Sequence, residues 1–336
     1  MIAAAGLMLA TAIGPVTAAD LQASAGDGWL EALVSVSDLD ARSALFETVL
    51  GFERVHQGEA SPGQLAAWGV QSDRPVREAL FRQPGSRRGY IRLIDFGAGP
   101  ENPRIRSSAQ PWEPGGWSGL NVRVRDIDQV FLRLQQAGFQ GFSDPVSFTV
   151  PPFRVREAMM VGPDGIVLGL LERVEPPLAD ASWTSLVSRP VTAFTVTATP
   201  IETSAALDRL GLGVRLAFDG PTADPGPNLF ALPHDLVGRT TRSVRWRQEA
   251  GRDEGTIATI AFASLSGRSH AERAGPPDLG LFSLRLPVPD VATRCAAAGA
   301  AVRETFVAPY GQLRSCVVRL PNGARIDVVQ TQTAAP

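Results

Sequence analysis

The sequence predicts an α+β chain of four βαβββ modules, paired into two tandem barrel-like domains. Three observations predict it: a strand–helix–strand signature that recurs four times, hairpin turns at matching module ends, and a Pro- and Ser-rich stretch between the two halves.

The first copy is 33-LVSVSDLDARSALFETVLGFERV-55. Its alternating apolar residues mark a strand, Asp38 suits a helix N-cap, and Gly51 suits the left-handed position that ends a helix. The second copy, 120-LNVRVRDIDQVFLRLQQAGFQGF-142, repeats that order with Asp126 and Gly138. Weaker copies begin at Phe194 and Phe282. The segments 154-RVREAMMVGPDGIVLGLLE-172 and 312-QLRSCVVRLPNGARIDVVQ-330 read as hairpins closed by Asp-Gly and Asn-Gly turns. Modules one and three end less distinctly, at 89–96 and 255–262. One module is too small to close a core, so pairing is expected. Chain order suggests a first domain at 29–173 (modules one and two), a linker at 174–189, and a second domain at 190–330 (modules three and four).

Composition narrows the function. The net charge of −2 offers no basic field for nucleic acid. Every fixed cation is Arg, so Lys Schiff-base chemistry is excluded. Residues 1–19 form an apolar run ending in small residues and read as a signal peptide. That implies a periplasmic or secreted protein with no membrane association after cleavage; a chain that keeps the run would be cytoplasmic. Cys295 and Cys316 fit either a disulfide or two buried thiols. No G-x-S-x-G elbow, Walker loop, G-x-G-x-x-G turn or H-E-x-x-H pair is present.

The stretches VSVSDLDARSALFETVLGFERV, GPDGIVLGLLER and LPNGARIDVVQ resemble the vicinal oxygen chelate superfamily. That group includes glyoxalase I, fosfomycin and bleomycin resistance proteins, and extradiol dioxygenases. The resemblance runs from about Trp29 to Val329, and four modules in one chain are similar to the two-barrel layout of the dioxygenases. It implies cupped sheets with His and Glu metal ligands on the first and last strand of each module. It places them about seven residues before the capping Asp and about four after the hairpin Gly.

Those positions hold Glu31, Arg92, Gly119 and Gly169 in the first expected pair of modules. The second pair offers Thr192, Ala258, one of Leu281, Phe282 or Ser283, and Asp327. A divalent transition metal normally takes three protein ligands. Neither set supplies them, so no metal or other cofactor is expected. His56, His234 and His270 fall elsewhere, and His270 reads as a surface residue.

Arg92 keeps positive charge at a metal position and offers a planar fork to a carboxylate or another oxyanion. Glu31 should pair with it on the floor of the first cup, either to hold a ligand or only to neutralise a buried charge. Gly119 and Gly169 would widen that cup. Trp29 and Trp117, two residues before the first-strand positions, would line its mouth and stack on a flat ligand, or serve as ordinary core. In the second cup Asp327 is the one retained acid: alone in an apolar cavity it would have a raised pKa and act as a general base, or it is an ordinary hydrogen-bonded or exposed Asp, and Tyr310 would donate a proton or a hydrogen bond.

The expected function is a metal-independent, glyoxalase- or bleomycin-resistance-like protein that binds a small organic ligand, anionic or aromatic, in a cupped sheet. One alternative is a divalent-metal lyase, isomerase or extradiol-type dioxygenase using Glu31, His56 or Asp327. Another is a non-catalytic periplasmic interaction protein whose cups are filled by side chains. Edge pairing of such sheets would make a homodimer.

Overall fold

The computed structural model describes residues 16–97, 99, 101–107, 110–150, 152–178, 183–221, 228–249, 255–265 and 267–331. The signal-peptide reading of 1–19 therefore lies outside the described residues up to residue 15. From Val16 the chain is packed: Val16 and Leu21, the latter on α1 (Ala18–Ala23), are buried against Leu80, Tyr90 and Tyr310.

Four βαβββ modules follow. Module one is β1 (Glu31–Ser35), α2 (Leu39–Thr48), β2 (Glu53–Glu59), α3 (Pro62–Trp68), β3 (Arg77–Arg82) and β4 (Tyr90–Asp95). Module two is β5 (Gly119–Val124), α4 (Ile127–Gln136), β6 (Gln140–Gly141), β7 (Val146–Val150), β8 (Phe153–Val161) and β9 (Val167–Glu175). Module three is β10 (Pro190–Val196), α5 (Pro200–Arg209), β11 (Gly213–Pro221), β12 (Thr241–Gln248) and β13 (Thr256–Phe262). Module four is β14 (Gly280–Pro287), α6 (Val291–Ala297), β15 (Arg303–Val307), β16 (Gly311–Arg319) and β17 (Arg325–Thr331).

The capping chemistry is the one the sequence implies. Asp38, Asp126 and Asp290 each accept a hydrogen bond from the backbone N–H three residues on, at 3.0–3.1 Å. Module three lacks such a cap; its helix follows Thr199 and carries Pro200 in the first turn.

The strands form two curled sheets. One has eight strands ordered β15-β16-β17-β14-β1-β4-β3-β2. The other has nine, ordered β11-β12-β13-β10-β5-β9-β8-β6 with β7 on β8. At the centre of each, the first strands of two modules run antiparallel, with Glu31 opposite Arg285 and Gly119 opposite Phe194.

The α+β class and the four modules are as expected, but the partners are not. Module one shares its sheet with module four, and module two with module three. Spans 29–173 and 190–330 are thus not separate cups. All four modules carry the same apolar pattern, which specifies a face to bury and not which module buries it. Modules adjacent in the chain meet through hairpin turns instead. Asp164, left-handed at φ 58, accepts from Ser37 N–H (3.1 Å), Ser37 Oγ (2.7 Å) and Arg42 Nε (2.9 Å). Asn322 Nδ2 donates to Thr195 Oγ1 at 2.7 Å.

The helix-covered faces of both sheets merge into one apolar core that includes Phe46, Phe131, Leu168, Leu207 and Cys295. The 183–189 part of the segment read as a linker packs on the fold: Val187 is buried and its carbonyl accepts from Gln83 Nε2 at 2.8 Å. Cys295 on α6 and Cys316 on β16 form a disulfide.

Candidate functional site

The inner face of the first sheet holds a closed network of charges. Register puts Glu31 and Arg92 on the same face of neighbouring strands. Arg92 grips Glu31 with two nitrogens, Nε to Oε1 at 3.0 Å and Nη2 to Oε2 at 3.3 Å, and both side chains are fully buried. The third nitrogen of Arg92 reaches Glu78 Oε1 on β3 at 2.5 Å. Arg285 on β14 lies between two carboxylates: Nη1 bonds Glu31, and Nη2 stands 3.6 Å from Asp327 Oδ2. Asp327 also accepts from Ser283 Oγ (2.6 Å) and Trp68 Nε1 (2.8 Å). Tyr310 donates to Glu31 Oε2 at 2.8 Å and lies under Arg92.

The electrostatics follow from burial. It pushes the Glu78 carboxyl up, against the charge and hydrogen bond of Arg92 and the amide of Gln64. It pushes the Tyr310 phenol up, against Arg92 and Arg285. It pulls the Arg285 guanidinium down, and Asp327 opposes that. His56, on β2 at 3.9 Å from Glu78, is held below its usual value by burial and then by Arg92. α3 supplies Gln64 and Trp68 to this inner face, and α1 packs beside Tyr310. The cup is filled.

The inner face of the second sheet is different. It is apolar, with Met159, Phe194, Val244, Ala258 and Ile260 buried beside Phe230 and the partly buried Trp246. A cavity of about 390 Å³ opens there, lined by Met159, Val161, Val167, Phe194 and Phe142 with Arg104 and Arg106 from the 97–116 loop. That is within the usual range for ligand pockets. Two charged groups face the cup, Glu157 on β8 and Arg242 on β12. Glu157 keeps part of its surface open but is ringed by protein atoms, and burial pushes its carboxyl up to about 7, against the charge of Arg242. Burial pulls Arg242 down, and Glu157 opposes it.

No family model matches the chain, and no curated protein is similar to it in sequence. Solved structures are similar in shape. Glyoxalase I from Zea mays superposes with a TM-score of 0.56 at 12% identity, over 90% of this chain and 92% of that one. A putative dioxygenase from Bacillus subtilis superposes with a TM-score of 0.56 at 13% identity, over 92% and 87%. The chain shares the fold of these glyoxalase and dioxygenase structures.

In a vicinal oxygen chelate fold the first cup is where the resemblance would seat a divalent ion. Its four positions are Glu31, Arg92, Ser283 and Asp327, and they do not fit one. Among the described residues no three His, Cys, Asp or Glu side chains converge as a metal-binding group. The space between the two carboxylates is taken by the Arg285 guanidinium. The second cup offers Gly119, Gly169, Thr192 and Ala258, which is no better.

Several sequence expectations change place. Glu31 and Arg92 pair as expected, but Asp327 and Tyr310 join them in the same cup, because modules one and four share a sheet. Asp327 is therefore not alone in an apolar cavity. Trp29 and Trp117 do not line a mouth. Both are buried, and each binds the opposite sheet: Trp29 Nε1 donates to Thr256 O and Trp117 Nε1 to Arg325 O, both at 2.9 Å. Gly119 and Gly169 leave no void of their own. A Cβ at Gly119 would meet Phe194 at 2.8 Å, and one at Gly169 would meet Asn121 Oδ1 at 2.1 Å. His270 is buried beside Glu113 rather than exposed. Arg285, Glu78, Glu157 and Arg242 went unnoticed in the sequence. The signal was there: each is a charge at an alternate, inward position of a strand, as in 282-FSLRLP-287.

Proposed function

We propose that this chain is a metal-independent protein of the vicinal oxygen chelate type that binds a small organic ligand in the cup shared by modules two and three. One observation carries the reading. The Arg285 guanidinium stands between Glu31 and Asp327, so the two acids at the expected ligand positions are paired from within, while the second cup keeps a partly apolar cavity of about 390 Å³. A buried cation that already bridges both acids takes the place a divalent ion would need. Glu31, Arg92, Asp327 and Tyr310 then serve as a rigid floor rather than as a reaction centre. The Cys295–Cys316 disulfide supports an oxidising location, periplasmic or secreted.

The test uses the neutral probe N-phenyl-1-naphthylamine and elemental analysis of protein exposed to Mn²⁺, Ni²⁺ and Zn²⁺. Expected are saturable probe fluorescence, its loss in Met159→Trp, which fills the second cup, and no stoichiometric metal. One bound metal per chain overturns the reading. So does probe binding that Met159→Trp leaves unchanged.

A further inference from the structure

Among the described residues, Arg242 is an arginine without an acceptor. Its guanidinium carbon lies 5.3 Å from the Phe218 ring centre and 5.2 Å from that of Phe230. Rings stacked on a guanidinium hold its plane and leave its N–H edge free. Among the described residues that edge meets no carboxylate within salt-bridge distance and no hydrogen-bond acceptor, and Nε is buried without a partner. Buried N–H groups in native proteins are nearly always paired, so an orphan on the inner face of this sheet, on the same strand face as Val244, marks a missing acceptor.

Glu157 is the matching half. Its carboxyl also has no hydrogen-bond partner among the described residues, yet it and Arg242 feel each other's charge across the cup. They are close enough to interact and too far apart to pair. Arg104, exposed at the cavity lining, adds a positive charge to the cavity. The field in the cup therefore favours an anion.

We propose that the second cup recognises a singly charged organic anion. Its oxyanion lies in the plane of the Arg242 guanidinium, its apolar body rests against Phe194, Phe230 and Trp246, and the Glu157 carboxyl faces it from β8. This rests on the second cup being the ligand site. Two oxygens of one carboxylate match the guanidinium edge. Below about pH 7 Glu157 is mostly neutral and can donate a hydrogen bond to the anion; ionised, it repels the ligand. Affinity therefore falls as pH rises through about 7, by up to tenfold per unit.

Calorimetry of the full chain with 1-naphthoate and its neutral counterpart 1-naphthamide, at pH 6 and pH 8, tests this. Expected at pH 6 is naphthoate binding at least tenfold tighter than naphthamide. Arg242→Gln should erase that preference, and a cooperative urea transition like that of the parent reports that the variant is folded. Arg242→Lys, which keeps the charge but loses the planar edge, should fall between. Glu157→Gln should remove most of the pH dependence. Equal affinity of the two probes for the unmodified protein overturns the anion proposal and leaves the second cup standing. Naphthoate affinity that Arg242→Gln leaves intact does the same. If neither naphthyl probe nor N-phenyl-1-naphthylamine binds, the proposal falls together with the cup reading.

Discussion

The guanidinium of Arg285 and the carboxylate of Glu31 are in direct contact at the floor of the first cup, although 254 positions separate them in the chain. Both side chains are sealed from solvent. The contact exists because β14 of module four pairs with β1 of module one. Replacing Arg285 by Met leaves Glu31 with Arg92 and Tyr310, and leaves the Asp327 charge with the neutral donors Ser283 and Trp68. The expected loss is about 3–5 kcal/mol of unfolding free energy. Glu31→Gln combined with Arg285→Met should cost less than the sum of the single changes, since each removes the other's partner. Urea unfolding measures both. A single change within about 1 kcal/mol of the parent contradicts a structural role for the network.

Gly119 and Gly169 are predicted to differ in tolerance. At Gly169 the obstacle is Asn121 Oδ1, the far end of a side chain that can rotate away. At Gly119 it is Phe194 Cζ and the Val167 carbonyl, both at 2.8 Å, and the carbonyl cannot move without its strand. Gly119→Ala should destabilise by about 1–3 kcal/mol, as overpacking does. Gly169→Ala should cost clearly less. Thermal unfolding that ranks them the other way would sink this account.

How much of this was legible in the sequence depends on the range of the interaction. Asp38, Asp126 and Gly138 act within one turn of chain, and capping and turn chemistry identify them. The Glu31–Arg92 pair was legible because two strands of one module fix its register. Which module lies opposite was not. That choice is made by β1 meeting β14, and nothing local to either strand encodes it. So Asp327 and Tyr310 were right as inward residues and placed in the wrong cup. Arg242 and Glu157 escaped because the family pattern drew attention to first and last strands, whereas these two sit on the strands next to the last.

The disulfide gives a third prediction. It joins Cys295 and Cys316 across 21 residues and ties α6 to the outer part of the first sheet. Closing a loop of that length stabilises by roughly 3 kcal/mol, mainly by restricting the unfolded chain. The Cys295→Ala, Cys316→Ala double variant should lose about that much in urea. Protein unfolded without reductant should show no titratable thiol. Two free thiols per chain would contradict the bond and remove its support for an oxidising compartment.

The last prediction concerns Glu157 and pH. Burial raises its carboxyl from 4.5 to about 7, so the folded chain keeps a proton that the unfolded chain releases. Stability from this group is then complete below about pH 4.5, declines as pH rises, and levels off above about pH 7. Gln at this position is neutral in both states. Glu157→Gln should therefore match the parent near pH 4.5 and exceed it at pH 8, by on the order of 1–3 kcal/mol. The lower end is favoured because the carboxyl is partly open to water. Arg242→Gln should move the same transition upward in pH, since Arg242 is the charge that holds Glu157 down. Urea unfolding at pH 5 and pH 8 reads both effects. A stability difference between Glu157→Gln and the parent that does not change between those values would mean the carboxyl titrates as in water.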